Sequence, residues 1–258
     1  MVSVLKDARS NSGGPAGRVD LCALALLSFL YPTLVTAAVW NVDPVRVELS
    51  PKQQTAAIIV RNESDQPSSL QIQAVSWSQV DGKDVYTATR ELLVSPPIAT
   101  IAPKTYQVIR VALRRPADPS KELAYRINLQ ELPLEHATET TGVQVALRIG
   151  LPVFVQPLKG DAVPKMAWSV ARVSDNQLKV QVRNQGNAHV QISDFSLHAA
   201  GAVEALTSES VSSYVLAGQS REWLLKTSPS QTIANGRLRL LAFTDADKVD
   251  TELVLDRP

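Results

Sequence analysis

An all-β protein built of two tandem immunoglobulin-like β-sandwiches is the fold class this sequence predicts, and three observations carry the prediction. Short runs in which apolar and polar residues alternate have the period of strands with one buried face. Turns containing Gly or Pro separate them at short intervals, while long stretches with helical spacing are missing. At 258 residues the chain has room for a core in each of two ordinary domains.

The first 38 residues are expected to be a signal peptide. Lys6, Arg9 and Arg18 precede the apolar run Leu21 to Leu30, and Val35-Thr36-Ala37-Ala38 offers small residues for cleavage after Ala37 or Ala38. A retained membrane anchor is the competing reading, against which the run falls short of the about 20 residues a spanning helix needs. Cys22 stands near the start of the run rather than its end, where a lipoprotein would place its cysteine. It is the only cysteine, so the mature chain is expected to lack disulfides, a thiol nucleophile and Cys-based metal sites. Packing alone must then hold the fold.

From Val39 the strands follow closely. Val45, Val47 and Leu49 alternate ahead of the turn Ser50-Pro51, and Thr55 to Asn62 runs to the polar turn Glu63 to Pro67. Leu70 to Trp77 is the clearest third strand, ending in a tryptophan suited to pack across a sandwich. After the turn Asp81-Gly82-Lys83-Asp84 comes Leu92 to Ser95, followed by Pro96-Pro97, a pair that cannot donate to a central ladder and so marks an edge or a bend. Ile101-Ala102-Pro103 turns into Tyr106 to Leu113, and Ala124 to Leu132 precedes a short polar loop, Glu135 to Thr141. The loop leads into Gly142 to Phe154, which closes a first domain over 39–156.

Pro157 to Asp161 reads as a linker, and 157–258 as a second domain. Its strands are Gln177 to Asn184, His189 to Leu197, Arg221 to Leu225, Arg237 to Phe243 and Val249 to Leu255. The endings Arg61-Asn62 and Arg183-Asn184 resemble each other, as equivalent strands of two related domains would.

Signals of catalysis are absent from the sequence. The 26 Lys and Arg residues nearly balance 25 Asp and Glu without a basic stripe, which points away from nucleic acid. Neither a glycine-rich phosphate loop nor a nucleophile elbow is present, and His136, His189 and His198 lack zinc-ligand spacing. Those histidines are expected to face solvent in structural roles, and the scattered acidic residues nominate no acid and base pair. Neither an enzymatic activity nor a metal or cofactor is expected.

Gly142 to Phe154 is the stretch around which the chain is organised. Val143, Val145, Leu147, Ile149 and Leu151 share one face, and Gln144, Ala146, Arg148 and Gly150 the other. Either the apolar face belongs wholly to the domain's own core, or part of it is left open to a partner that completes itself by strand addition.

Several segments, in their order and spacing, resemble the periplasmic chaperones of the chaperone-usher pilus systems. They are Val45-Arg46, Val60-Arg61-Asn62, Ser95-Pro96-Pro97 with Ile101-Ala102-Pro103 and Val108-Ile109-Arg110, Asn128 to Pro133, and the strand running into Pro152-Val153-Phe154-Val155-Gln156-Pro157. Val182 to His189 is similar to the corresponding segment of the archaic, spore coat U-type branch. In that family the chaperone's strand fills the groove of a pilus subunit that lacks its own last strand. The resemblance implies that Val143, Val145, Leu147 and Ile149 enter this groove. It implies pilus subunits and an outer-membrane usher as partners, work in the periplasm and no cofactor. Because an exposed apolar edge is an aggregation hazard, self-association of the free chaperone through that strand is a further expectation.

The resemblance also implies a basic anchor for the subunit's C-terminal carboxylate at Arg46, whose planar fork suits a carboxylate. A second basic position, usually lysine, falls on Pro152, which has neither charge nor N–H. Arg148 or another residue takes its place, or the anchor is single. The alternative reading is a secreted two-domain adhesin or carbohydrate-binding protein. It would gather aromatics on one exposed face, whereas Trp40, Trp77, Trp168 and Trp223 are dispersed along the chain.

Overall fold

Alternating patterns become strands throughout the described residues, 40–132, 146–227 and 236–256, of this computed structural model. The first ten strands are β1 (Trp40–Asp43), β2 (Val47–Leu49), β3 (Thr55–Asn62), β4 (Ser68–Val80), β5 (Lys83–Ala88), β6 (Leu92–Ser95), β7 (Ile98–Ile101), β8 (Tyr106–Leu113), β9 (Leu123–Leu132) and β10 (Arg148–Val155). They form a four-stranded sheet, β1-β3-β8-β6, and a six-stranded one, β2-β10-β9-β4-β5 with β7 also paired to β4. Ile58, Val60, Ile109 and Val111 of the first sheet and Leu70, Ile72, Ile127 and Val153 of the second meet in one core.

Three sequence readings change here. The strand expected over Val45 to Leu49 is shorter, β2 pairing with β10 from Val47, and a separate strand, β1, precedes it on β3 in the other sheet. Val45 lies in the crossing and is exposed, outside the alternation that Val47 and Leu49 keep. Trp77 points away from the first core. Leu70, Ile72 and Ala74 face that core, but Ala74 and Val75 are both buried, and from there the buried phase shifts to Val75, Trp77 and Gln79 on the other face. The third change is two added strands, β7, which pairs with β4, and β5, whose six residues are all exposed.

The remaining strands are β11 (Met166–Ser174), β12 (Gln177–Asn184), β13 (Val190–Ala199), β14 (Ala205–Val215), β15 (Ser220–Lys226), β16 (Arg237–Thr244) and β17 (Lys248–Asp256), of which β11 and β14 were not expected. They join in the order β14-β13-β16-β17-β11-β12-β15. The link between β17 and β11 is parallel and only two residue pairs long, Val170 with Leu255 and Ala171 with Asp256. Val180 and Val182 from one side of that link share a core with Ile192, Phe195, Leu238 and Leu240 from the other. The described residues thus form two β-sheet domains of immunoglobulin-like topology, and both lie within one compact unit, Ala37–Pro258.

The likeness of Arg61-Asn62 to Arg183-Asn184 has a structural meaning. Asn62 ends β3 fully buried, its Nδ2 donating to the carbonyls of Gln66 (2.8 Å) and Ile101 (3.0 Å) while Oδ1 accepts from Ser64 N (3.0 Å). Asn184 ends β12 in the same way, donating to Ala188 O (2.7 Å) and Val215 O (3.1 Å) and accepting from Gly186 N (2.9 Å) and Lys165 N (3.2 Å). Each amide thereby fastens a turn to a distant strand and leaves no buried polar atom unpaired.

Gly186 lies in the second of these turns because nothing larger fits. A Cβ there would press on the Val163 carbonyl, 2.5 Å from Lys165 N and 2.8 Å from Pro164 C, all of them backbone atoms. Gly186→Ala is therefore expected to displace segment 163–165 and cost about 1–3 kcal/mol. A melting temperature within 1 °C of the parent, on the scale of roughly 2–4 °C per kcal/mol, would contradict that account.

Candidate functional site

β10 has a partner on both sides for only part of its length. Along one side it pairs antiparallel with β9 from Arg148 to Val155. On the other, β2 covers Val153–Val155 alone. Backbone groups in an antiparallel pair alternate in direction along the strand. The Leu147 carbonyl accepts from Glu131 N (2.9 Å), so odd-numbered residues turn toward β9; Gln156 N donates to Leu49 O (2.9 Å), so even-numbered residues turn the other way. Arg148 and Gly150 therefore aim N–H and C=O at an edge where no strand lies among the described residues. Pro152 stands where β2 begins, and its missing N–H leaves no donor unpaired there.

The side chains of this strand run from core to solvent. Val155, Val153 and Leu151 are buried, Ile149 is half-buried against the first core, and Leu147 is exposed. An apolar stripe thus emerges from the core along an edge unpaired among the described residues, the kind of surface to which another strand adds. Leu147 and Ile149, two of the residues expected to enter a partner's groove, lie on it; Val143 and Val145 are outside the described residues, as is His136.

The other face of β10 carries the charges. Val47 pairs with Val153, so Arg46, one residue ahead of β2, is level with Pro152, and β9 places Arg126 opposite Pro152. Residues in register share a face. Arg46, Pro152 and Arg126 form a row on the face opposite the core residues Val47, Val153 and Tyr125. Arg148 is exposed on the same face, farther along the strand.

Arg46 is not a lone surface cation. Its Nη1 donates to Asp245 Oδ2 at 2.7 Å, and its Nε lies 3.4 Å from Glu48 Oε1. Burial works against the charged guanidinium, yet the bond to Asp245 and its charge outweigh this and raise the pKa. Tyr214 lies close by: burial raises its hydroxyl's pKa against the pull of the Arg46 and Arg126 charges.

Around this row the two domains meet. Trp77, Phe154 and Leu216 form a buried cluster flanked by Tyr214. His189, expected to face solvent, instead lies flat on Phe154 with ring centroids 3.4 Å apart, and its Nδ1 is 2.7 Å from Glu122 Oε1. Its side chain is 11% exposed, because the aromatic stack and the Glu122 carboxylate together enclose it. Asp84 accepts from Trp77 Nε1 (2.9 Å), Gln79 Nε2 (2.9 Å) and Arg221 Nη2 (2.5 Å). Burial alone would raise its pKa, but these bonds lower it below the ordinary carboxylate range. Sequence reasoning missed Arg126 and Asp84. Parity held a signal for Arg126, since its neighbours Tyr125 and Ile127 face the core.

No group of three or more His, Cys, Asp or Glu side chains among the described residues is placed to hold a metal. Of the four tryptophans, Trp77 is buried in the cluster between the domains, and Trp40, Trp168 and Trp223 are half-buried against the two cores.

Residues 40–160 match the family model of the pili and flagellar-assembly chaperones, PapD N-terminal domain. A comparison with curated proteins finds no match. Among solved structures, a chain of the CsuC–CsuE chaperone–tip adhesion subunit pre-assembly complex, from the archaic chaperone-usher Csu pili of Acinetobacter baumannii, is 19% identical. That likeness covers 85% of this chain and 100% of the other with a TM-score of 0.64. The E. coli chaperone DraB is 18% identical over 84% of this chain and 97% of its own, TM-score 0.55. The Pseudomonas aeruginosa CupB2 chaperone is 18% identical over 84% and 100%, TM-score 0.53. These likenesses span both β-sheet domains and show a shared fold.

Proposed function

We infer that this chain, whose residues 40–160 match the model of the pili and flagellar-assembly chaperones, is a periplasmic chaperone that caps pilus subunits by donor-strand complementation and passes them to an outer-membrane usher. Chaperone–pilin complementation is an established instance of strand addition. The observation that carries the reading here is an edge of β10 left unpaired among the described residues, with an apolar stripe emerging from the core beside it. A subunit lacking its last strand has a hydrophobic groove between two unpaired edges and aggregates alone. Val143, Val145, Leu147 and Ile149 fill that groove while Arg148 and Gly150 pair their backbone with its edge.

Arg46 anchors the subunit's terminal carboxylate, the kind of group it holds in Asp245 of the free chain. Residues 39–156 and 157–258 act as two tandem sandwiches after a signal peptide, 1–38, that directs export. A free copy shields its strand by pairing with another.

Tagged protein expressed with its neighbouring genes tests the reading. A small secreted β-rich subunit is expected to co-purify from the periplasm and to be degraded when the chaperone is left out. Recovery of the chaperone without any such subunit would overturn it.

A further inference from the structure

The hairpin of β4 and β5 is longer than the first core requires. From Val75 onward its buried side chains, Val75, Trp77 and Gln79, lie outside that core, and all six residues of β5 are exposed. Asp81 and Gly82, at φ of 51° and 72°, supply the left-handed pair that a two-residue turn needs. A two-stranded extension without a core of its own is marginally stable in water, so contacts elsewhere must hold it.

The second domain provides them. Arg221 of β15 reaches the hairpin tip, its Nη1 donating to Gly82 O at 3.1 Å and its Nη2 to Asp84 Oδ1 at 2.5 Å, while Nε donates to Tyr214 O at 2.8 Å within its own domain. Gln79 is buried and crosses the same junction. Its Nε2 donates to Asp84 Oδ1 (2.9 Å) and Tyr214 O (2.9 Å), and its Oε1 accepts from Leu216 N (3.0 Å). Both ends of the amide are thus satisfied, as a buried polar network must be to add rigidity. Two residues along β5 from Asp84, and so on the same face, the Tyr86 hydroxyl accepts from Arg126 Nη1 at 2.6 Å. Through Tyr86 the strand is tied to its own domain, and through Asp84 to the other.

We propose that the β4–β5 hairpin is a clasp between the domains, latched by Arg221, and that Arg221, Asp84 and Gln79 are positioning residues for capture of the added chain. The clasp stands on these contacts alone; its part in capture rests on reading β10 as a strand-accepting edge. Arg46 and Asp245 also join the two domains, but in that reading Arg46 turns to an incoming carboxylate and this tie loosens. The acceptors of Arg221 take no part in the exchange. The clasp therefore keeps the second domain in place while Arg46 changes partners.

Amide hydrogen exchange on the mature chain tests the clasp. Arg221→Gln, in the second domain, is expected to speed exchange of the amides pairing β5 with β4, in the first, by about tenfold or more, as for loss of a hydrogen bond to a charged group. Amides of β3 and β8 should keep their parent rates. Asp84→Asn should act alike, and the double variant no more than either single, since each removes the same contact. Parent rates in β5 of both single variants overturn the clasp, and additive effects in the double variant overturn Arg221 as its latch.

Capture of the co-expressed subunit by the same variants, each checked for folding by its melting temperature, tests the positioning. Recovery is expected to fall about threefold or more in both singles, and less in Arg221→Lys, which keeps a charge toward Asp84. Parent-like capture by variants with fast β5 exchange overturns the positioning role and leaves the chaperone reading standing. A parent that captures no subunit, with β5 exchange responding as expected, supports the clasp and overturns the chaperone reading instead.

Discussion

The double variant Val145→Asp, Leu147→Asp is expected to lose its subunit while folding as the parent does. Leu147 is 39% exposed in the free chain, so the chaperone's own core draws little from it. In the complex, each apolar side chain entering the groove contributes about 1.5–3 kcal/mol, so the two account for roughly 3–6 kcal/mol, or at least a hundredfold in affinity. Placing carboxylates in an apolar groove adds a desolvation penalty on top. Recovered subunit per mole of chaperone should fall to background while the melting temperature stays within a few degrees. Retention of the subunit by a folded double variant would mean that this stripe is not what fills the groove.

Ile149→Asp provides the contrast. Ile149 packs against the first core, so its replacement should lower stability as well as capture, and the two effects separate along one strand according to distance from the core.

The same gradient explains which parts of the fold were legible in the sequence. Strands with one buried face announced themselves: Thr55–Asn62, Tyr106–Leu113 and Gln177–Asn184 alternate cleanly and were found to the residue or close to it. A strand exposed on both faces has no alternation to detect, and β5, with six exposed residues, went unseen for that reason. In β14 only Val215 is buried, so its serine-rich run resembles a loop. The first core was legible because its pattern is local. The junction between the domains was not, since Phe154 stacking on His189 and Asp84 receiving Arg221 join residues far apart in the chain.

For the site, sequence pattern placed the stripe but not the edge. Val143 to Leu151 alternates equally well whether β10 has one neighbour or two, and only pairing shows that β2 begins at Val47 opposite Val153. Pro152 removed the expected cation, and only register shows that Arg126 stands beside the gap.

Asn184→Asp is expected to be among the most destabilising single-atom changes available to this chain. The side chain is fully buried and uses its whole capacity, two donors to Ala188 O and Val215 O and two acceptances from Gly186 N and Lys165 N. An ionised carboxylate keeps the acceptances but turns oxygen toward two carbonyl oxygens, losing both donated bonds and burying a charge without a cationic partner. A buried charge left unpaired costs about 3–5 kcal/mol, which in a protein of this size lowers the melting temperature by on the order of 10 °C. The loss should lessen in acid, where the protonated side chain is a donor again. Asn62→Asp should behave alike in the first domain, because Asn62 donates to Gln66 O and Ile101 O from an equally buried place. The exposed neighbours Arg61 and Arg183 set the scale, since their change to Ala should stay within about 0.5 kcal/mol. Thermal unfolding followed by circular dichroism decides the point. A cost for either Asn variant no larger than that of its arginine neighbour would mean that the two amides do not fasten their turns, and that the shared Arg-Asn ending says nothing about how the domains hold together.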